Sequence, residues 1–251
     1  ILKAGHRDGR SASHPHVTFE AQLVACPLVG IISAWNHPFL LATLDAIPAL
    51  IAGCAVIVKP SEITPRFIEP VMESVRAVPE LYNILRFVVG DARTGQAIVE
   101  RADMVCFTGS INTGRKIAEA CARRLVPLYL EMGGKDAAIV APGADLERAS
   151  TAILRGSAFA TGQICFSTER VYVHESLHDR FVDLLVKKSE ALRLSFPDPH
   201  SGHIGPFIFE KQAATVDRHI DDALAKGAKL LTGGKSEVLG GGMYMLATVL
   251  T

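Results

Sequence analysis

Cys165 stands in Thr161-Gly-Gln-Ile-Cys-Phe-Ser-Thr-Glu-Arg170, between a helix-period segment and a strand-like one. A thiol serves as a nucleophile when it is partly exposed and something favours its thiolate, and Gly162 and Gln163 leave the backbone open for a substrate to approach. The other reading of a cysteine is a small buried hydrophobe, assigned here to Cys26, Cys54, Cys106 and Cys121. Glu131 follows Leu128-Tyr-Leu130 and precedes Met-Gly-Gly-Lys135. A carboxylate at the carboxyl end of a parallel strand faces the crevice where such sheets bind ligands, and burial in such a crevice tunes an acid toward general-base work. Pairing with Lys135 is the alternative. Phe107-Thr-Gly-Ser-Ile-Asn-Thr-Gly114 reads as strand, glycine turn and helix start, whose backbone N–H groups suit a pyrophosphate. It is not GxGxxG, and Arg115-Lys116-Ile117 departs from the P-loop in both the lysine register and the magnesium-binding hydroxyl; an ordinary glycine turn remains open. Lys59-Pro-Ser61-Glu62 could bond ribose hydroxyls or form a charged turn. Asn36, in Trp35-Asn-His-Pro38, could donate to a developing oxyanion or cap a helix. The histidines show no ligand spacing, and no metal is expected.

Such residues need a scaffold, and the composition supplies one. Hydrophobic residues make up 49% of the 251 and charged residues 21%, enough apolar material for a core and too much for a disordered chain. Lys+Arg and Asp+Glu both number 26, so the basic excess of a nucleic-acid binder is missing and no nucleic-acid partner is expected. Five scattered cysteines without CxxC argue against a disulfide framework and for reduced thiols in the cytoplasm. The apolar stretch 39–58 has the length of a membrane span, but Asp45, Pro48 and Gly53 interrupt it, so a helix followed by a strand is expected and no membrane partner. Ile1-Leu2-Lys3-Ala4 opens without Met or an apolar leader, which reads as a soluble fragment.

Strands are expected at 29–33, 55–58, 84–89, 104–107 and 128–130, with helices at about 38–52, 65–77, 93–100 and 112–123 between them. Gly53 closes the first helix and Thr64-Pro65 opens the second. Residues 5–16 read as loop. After Lys135 come a strand at 137–140, a helix at about 146–160 capped by Asp145, a strand at 170–173, helices at 177–194 and 212–226, a strand at 229–231, a glycine turn at 240–242 and a strand-like 246–250. The fold class is therefore α/β: a doubly wound, mostly parallel Rossmann-like sheet followed by part of a second α/β domain.

Five blocks in order, Ser33-Ala-Trp-Asn-His-Pro-Phe39, Lys59-Pro-Ser-Glu62, Phe107-Thr-Gly-Ser110, Leu130-Glu-Met-Gly-Gly-Lys135 and Gly162-Gln-Ile-Cys165 with Arg170, resemble the aldehyde dehydrogenase superfamily from about residue 20 to the end. Cys165 falls 34 residues after Glu131, the family's interval between base and nucleophile. The resemblance implies that Cys165 attacks an aldehyde, that Asn36 and the Cys165 N–H stabilise the oxyanion, that hydride passes to NAD(P), and that Glu131 activates the water that hydrolyses the thioester. Lys59 and Glu62 would hold the adenosine ribose and Ser110 the pyrophosphate. Trp35, Ser61, Gly109 and Gly133 join them in the cofactor site, and Glu62 favours NAD over NADP.

The resemblance also implies domains at 1–24 (loop and remnant of an oligomerisation hairpin), 25–133 (NAD-binding) and 134–251 (catalytic, cut short). The full-length protein would be a homodimer or homotetramer and its parent chain about twice as long. A non-catalytic module of the same fold and a CoA-acylating enzyme are the rival expectations.

Overall fold

The computed structural model describes residues 7–251; Ile1-Leu2-Lys3-Ala4 and the start of the expected 5–16 loop lie outside the described residues. The chain divides into two compact units, one ending at Met132 and the other beginning at Gly133.

In the first unit, β1 (Arg7–Arg10) and β2 (Thr18–Ala21) form an antiparallel hairpin, with Gly9 opposite Phe19. Arg7–Arg10 corrects the expected loop. The hairpin is almost wholly exposed, so neither strand carries the apolar alternation that marks a half-buried one, and the Phe19 ring lies so close over Gly9 that a β-carbon there would clash.

The main sheet contains β3 (Leu28–Ile32), β4 (Ala55–Lys59), β5 (Leu85–Phe87), β6 (Met104–Gly109) and β7 (Leu128–Met132) in the order β5-β4-β3-β6-β7, all parallel. This is the doubly wound arrangement. Its strands are continuous apolar runs because both faces are covered. Val29, Ile31, Val56 and Val58 pack on one face with Ala42, Ala46, Met72 and Val75; Ile32, Val105 and Phe107 pack on the other with Ile98, Ile117 and Cys121.

The helix expected over 38–52 is two pieces, α1 (Pro38–Leu44) and α2 (Ala46–Ile51), broken at Asp45. Pro48 has no N–H for the Leu44 carbonyl and its ring crowds that group, which ends the first helix there. Gly53 closes the second with φ +90°, a conformation that costs glycine no β-carbon clash. Thr64 does not cap the next helix as expected. Its hydroxyl donates to the Trp35 carbonyl at 3.0 Å, and Pro65–Phe67 forms a 3₁₀ turn before α3 (Ile68–Arg76). A short helix, α4 (Pro79–Tyr82), was not anticipated and follows Val78. Then come α5 (Ala92–Val99), capped by Asp91, and α6 (Ile111–Arg124), capped by Ser110.

The second unit begins with β8 (Asp136–Val140), α7 (Leu146–Ala158), and β9 (Thr168–Val173) parallel to β8. Asp145 caps α7 by accepting the Arg148 N–H at 3.1 Å. α8 (His178–Glu190) packs Phe181 against Val140, Leu146 and Ile153. It ends at Glu190 rather than 194, and Leu194 bridges to Ile204 instead. After α9 (Glu210–Ala225) come β10 (Leu230–Thr232), β11 (Ser236–Leu239), β12 (Gly242–Met245) and β13 (Val249–Leu250). β11 and β12 make an antiparallel hairpin that was not anticipated, and β13 is the only strand within the expected 246–250. Among the described residues no helix is long and apolar enough to cross a membrane.

Candidate functional site

A parallel sheet aims its carboxyl strand ends at one edge, and the order β5-β4-β3-β6-β7 opens a switch point between β3 and β6. Trp35 and Asn36 follow β3, Lys59 ends β4 with Ser61 and Glu62 just beyond, Gly109 ends β6 with Ser110 next, and Glu131 is the penultimate residue of β7, opposite Thr108. The sheet thus brings eight of the sequence-predicted residues to a single edge.

Lys59 is 5% exposed, and its ammonium donates to the Pro60 carbonyl at 3.2 Å and to Glu62 Oε2 at 2.9 Å. A buried ammonium needs such partners. The bond from Lys59 holds the Glu62 carboxyl below its ordinary range. Ser61, also buried, accepts the Ile63 N–H at 3.3 Å, a turn that keeps the three side chains together. Ser110 accepts the Thr113 N–H at 3.4 Å and donates to the Thr113 hydroxyl at 3.0 Å, fixing the α6 amino terminus next to Gly109.

Two residues of this edge escaped the sequence reading. Ser33, directly after β3, is 5% exposed and its hydroxyl has no hydrogen-bond partner among the described residues. Its signal was only its place two residues before Trp35. Asp45, in the break between α1 and α2, has its carboxyl raised above the ordinary range, first by burial and then by the negative charge of Glu131. It looked like a mere interruption of an apolar run. Burial, helped by Asp45, pushes the Cys106 thiol up to about 12, and burial also raises Cys121. Both are inert as nucleophiles at neutral pH.

Gly133 and Cys165 belong to the second unit. Cys165 is exposed, whereas Cys54, Cys106 and Cys121 are buried and Cys26 is partly so. The turn leading to it is unusual. Ala160 (φ 49°, ψ 33°) and Thr161 (φ 59°, ψ 33°) are both left-handed, and Gly162 follows at φ 67°. For residues with a β-carbon this costs about 1–2 kcal/mol each, most of all for branched threonine. Gln163 does more than leave room for a substrate. Its amide nitrogen donates to the Pro206 carbonyl at 3.3 Å and the Ala160 carbonyl at 3.4 Å, while its oxygen accepts the Ile208 N–H at 2.8 Å.

The Cys165 carbonyl accepts the Gly134 N–H at 3.1 Å. A β-carbon on Gly134 would lie 2.7 Å from that oxygen, so only glycine permits the approach. Arg170 donates twice to the Lys135 carbonyl, at 3.0 and 2.8 Å, and Lys135 pairs with Glu169 rather than with Glu131. Phe159 and Phe166 flank the thiol in sequence and are more than half exposed. Among the described residues no cluster of His, Cys, Asp and Glu is suited to a metal.

An exposed thiol on a Gly-Gln-x-Cys turn, in a chain whose first unit is a doubly wound sheet with Trp-Asn, Lys-Pro-Ser-Glu and Gly-Ser at its strand ends, defines a class. The family model described as the aldehyde dehydrogenase family matches residues 3–251, and the chain belongs to that family. It is 40% identical over 225 residues to the "Putative succinate-semialdehyde dehydrogenase", named for NADP(+), of Mycolicibacterium smegmatis, covering 89% of this chain and 44% of that protein. The structure of "Putative Aldehyde Dehydrogenase PutA" from Anabaena variabilis superposes with a TM-score of 0.94 at 49% identity, over 98% of this chain and 52% of that one. An NAD+ complex of aldehyde dehydrogenase from Bacillus cereus superposes with a TM-score of 0.82 at 31% identity, over 90% and 46%. The chain spans about half the length of the relatives it matches.

Proposed function

We propose that this chain carries the thiol, the base and much of the cofactor-binding edge of an NAD(P)-dependent oxidation of an aldehyde to a carboxylic acid. The observation that carries this reading is that Cys165, alone among five cysteines, is exposed, in a chain of this family. Residues 25–133 would serve as the cofactor domain and 134–251 as part of the catalytic domain.

The orphaned Ser33 hydroxyl supports a ligand at the β3 end, since a buried hydroxyl without a partner costs about 1–3 kcal/mol that a polar guest would recover. Trp35, Lys59, Ser61, Glu62, Gly109, Ser110 and Gly133 would hold the dinucleotide. When bound, its nicotinamide accepts a hydride from substrate carbon. An ionised Glu62 favours NAD, because a 2′-phosphate at the ribose would meet like charge.

In this reading Cys165 sulfur bonds to the aldehyde carbon, the C=O π bond opens, and a proton reaches the oxygen, which Asn36 and the Cys165 N–H stabilise as charge develops. When the carbon gives up its hydride the oxygen gives up that proton, the C=O bond re-forms, and the carbon is a thioester. Glu131 takes a proton from water, the resulting hydroxide adds, and the C–S bond breaks to release the acid, the proton held by Glu131 returning to restore the thiol. Phe159 and Phe166 suit an apolar or aromatic aldehyde. Free thiols suit a reducing cytoplasm, and a homodimer or homotetramer completes the reading for the full-length protein.

The test is NAD reduction followed by absorbance with a panel of aldehydes, in the longest form of the protein. Activity should fall by at least about 10³-fold in Cys165→Ser, and iodoacetamide should label Cys165 well ahead of the other four thiols. Equal labelling of all five, or an unimpaired Cys165→Ser protein, would sink the reading.

A further inference from the structure

Nothing in the backbone preference of Ala160 or Thr161 explains why both are left-handed, so the turn before Cys165 must be held from outside. The holding groups are identifiable. Gln163 spans from the turn to a segment more than forty residues later, donating to the Pro206 carbonyl at 3.3 Å and accepting the Ile208 N–H at 2.8 Å. Thr161 adds a hydroxyl donated to the Gly205 carbonyl at 3.4 Å. That segment is itself fixed. Ile204 is buried and bridges to Leu194, and the Phe207 N–H donates to the Met243 carbonyl of β12 at 2.7 Å. Gln163 also returns a bond to the Ala160 carbonyl at 3.4 Å, tying the first left-handed residue to the same amide. On the other side of the thiol, the Gly134 N–H holds the Cys165 carbonyl.

We propose that Gln163 is a positioning residue for the nucleophile: its side-chain amide clamps the left-handed turn 160–162 to the 205–208 segment and so sets the direction in which Cys165 sulfur meets an aldehyde carbon. Gln163 touches neither substrate nor the reacting atoms in this role; it acts through the backbone of the turn. The inference rests on the reading of Cys165 as nucleophile. Without the clamp, Ala160 and Thr161 relax toward right-handed or extended backbone, and the thiol stays exposed but is no longer aimed.

Alkylation by iodoacetamide reads exposure, and protection from alkylation by hexanal reads aim, because protection requires the thiol to add across C=O, sulfur to carbon and proton to oxygen. Neither measurement needs a cofactor. In the wild type, hexanal should protect Cys165. In Gln163→Ala the thiol should still alkylate, while the half-protecting hexanal concentration rises tenfold or more. Adding Ala160→Gly to that variant should recover part of the loss, since glycine holds φ near 49° unaided. Cys26 labelling serves as the control and should not move.

Failure of hexanal to protect wild-type Cys165 would overturn the nucleophile reading. Equal protection in wild type and Gln163→Ala would overturn the clamp alone. If Gln163→Ala does not melt cooperatively, Gln163→Glu decides. It keeps an acceptor for Ile208 but loses the donor to Pro206 and Ala160, so a rise in the half-protecting concentration is expected with a wild-type melt, and no shift overturns the proposal.

Discussion

Lys59 and Glu131 lie on strands, Ser110 directly after one and Asn36 in the short turn that follows another, and the places of these strands are fixed by ladders of backbone hydrogen bonds and by side chains buried on both sheet faces, whereas Cys165 sits on an irregular turn with two strained residues and a side-chain tether. The first arrangement gets precision from regular structure, in which every residue is in a favoured conformation. The second gets it by forcing an unfavoured conformation and restraining it. A sheet edge tolerates a change in any one surface residue; a restrained turn depends on a few specific bonds.

That contrast can be broken first at the sheet. Ile31 is 1% exposed in the central strand, and Ile31→Ala should lower the unfolding free energy by about 2–5 kcal/mol in urea titration. A loss below about 1 kcal/mol would mean that the ladder, not the packing, holds the strand ends in place. Next in size is a pair of identical substitutions with opposite signs. Ala122→Gly, on the exposed side of α6, should destabilise by about 1 kcal/mol. Ala160→Gly should instead be neutral or stabilise by up to about 1 kcal/mol, because glycine relieves the left-handed strain. If both destabilise equally, the turn is not strained.

The smallest effect concerns the Asp45 carboxyl. Its folded-state pKa is raised by burial and then by Glu131, so the folded state binds more protons than the unfolded state and stability falls as pH rises through that range. Asp45→Asn should therefore raise the melting temperature at neutral pH, and the gain should shrink as pH is lowered through the carboxylate range. A gain that does not change with pH would place its origin in packing.

The regular half was the more legible in the sequence. Buried parallel strands announce themselves as apolar runs, and the sheet strands came within two residues of their expected limits at each end because burial on both faces leaves no other pattern. The Asp145 cap could be read because an acid directly before an apolar helix has one use. The break at Asp45 is written in Pro48, four residues after the carbonyl it disturbs. Arg7–Arg10 gave no signal because an exposed hairpin carries no periodicity. The clamp could not be read at all: Gln163 bonds the main chain at Pro206 and Ile208, and a main-chain group is the same whatever residue bears it. Lys135 misled for a different reason: its partner Glu169 lies on β9, distant in sequence, and a local reading weighs only near neighbours such as Glu131.

The pairing of β3 with β6, begun at Val29 opposite Met104 and reinforced by the Leu28 N–H donated to Asp103 at 3.0 Å, has a consequence for assembly at the ribosome. The wing formed by β3, β4 and β5 can zip as it emerges, but the middle of the sheet stays open until β6 follows, some seventy-five residues after β3. During that interval the edge of β3 that will receive β6 is bare, a long-range closure of the slow kind, and it marks where a newborn chain is most exposed to wrong partners.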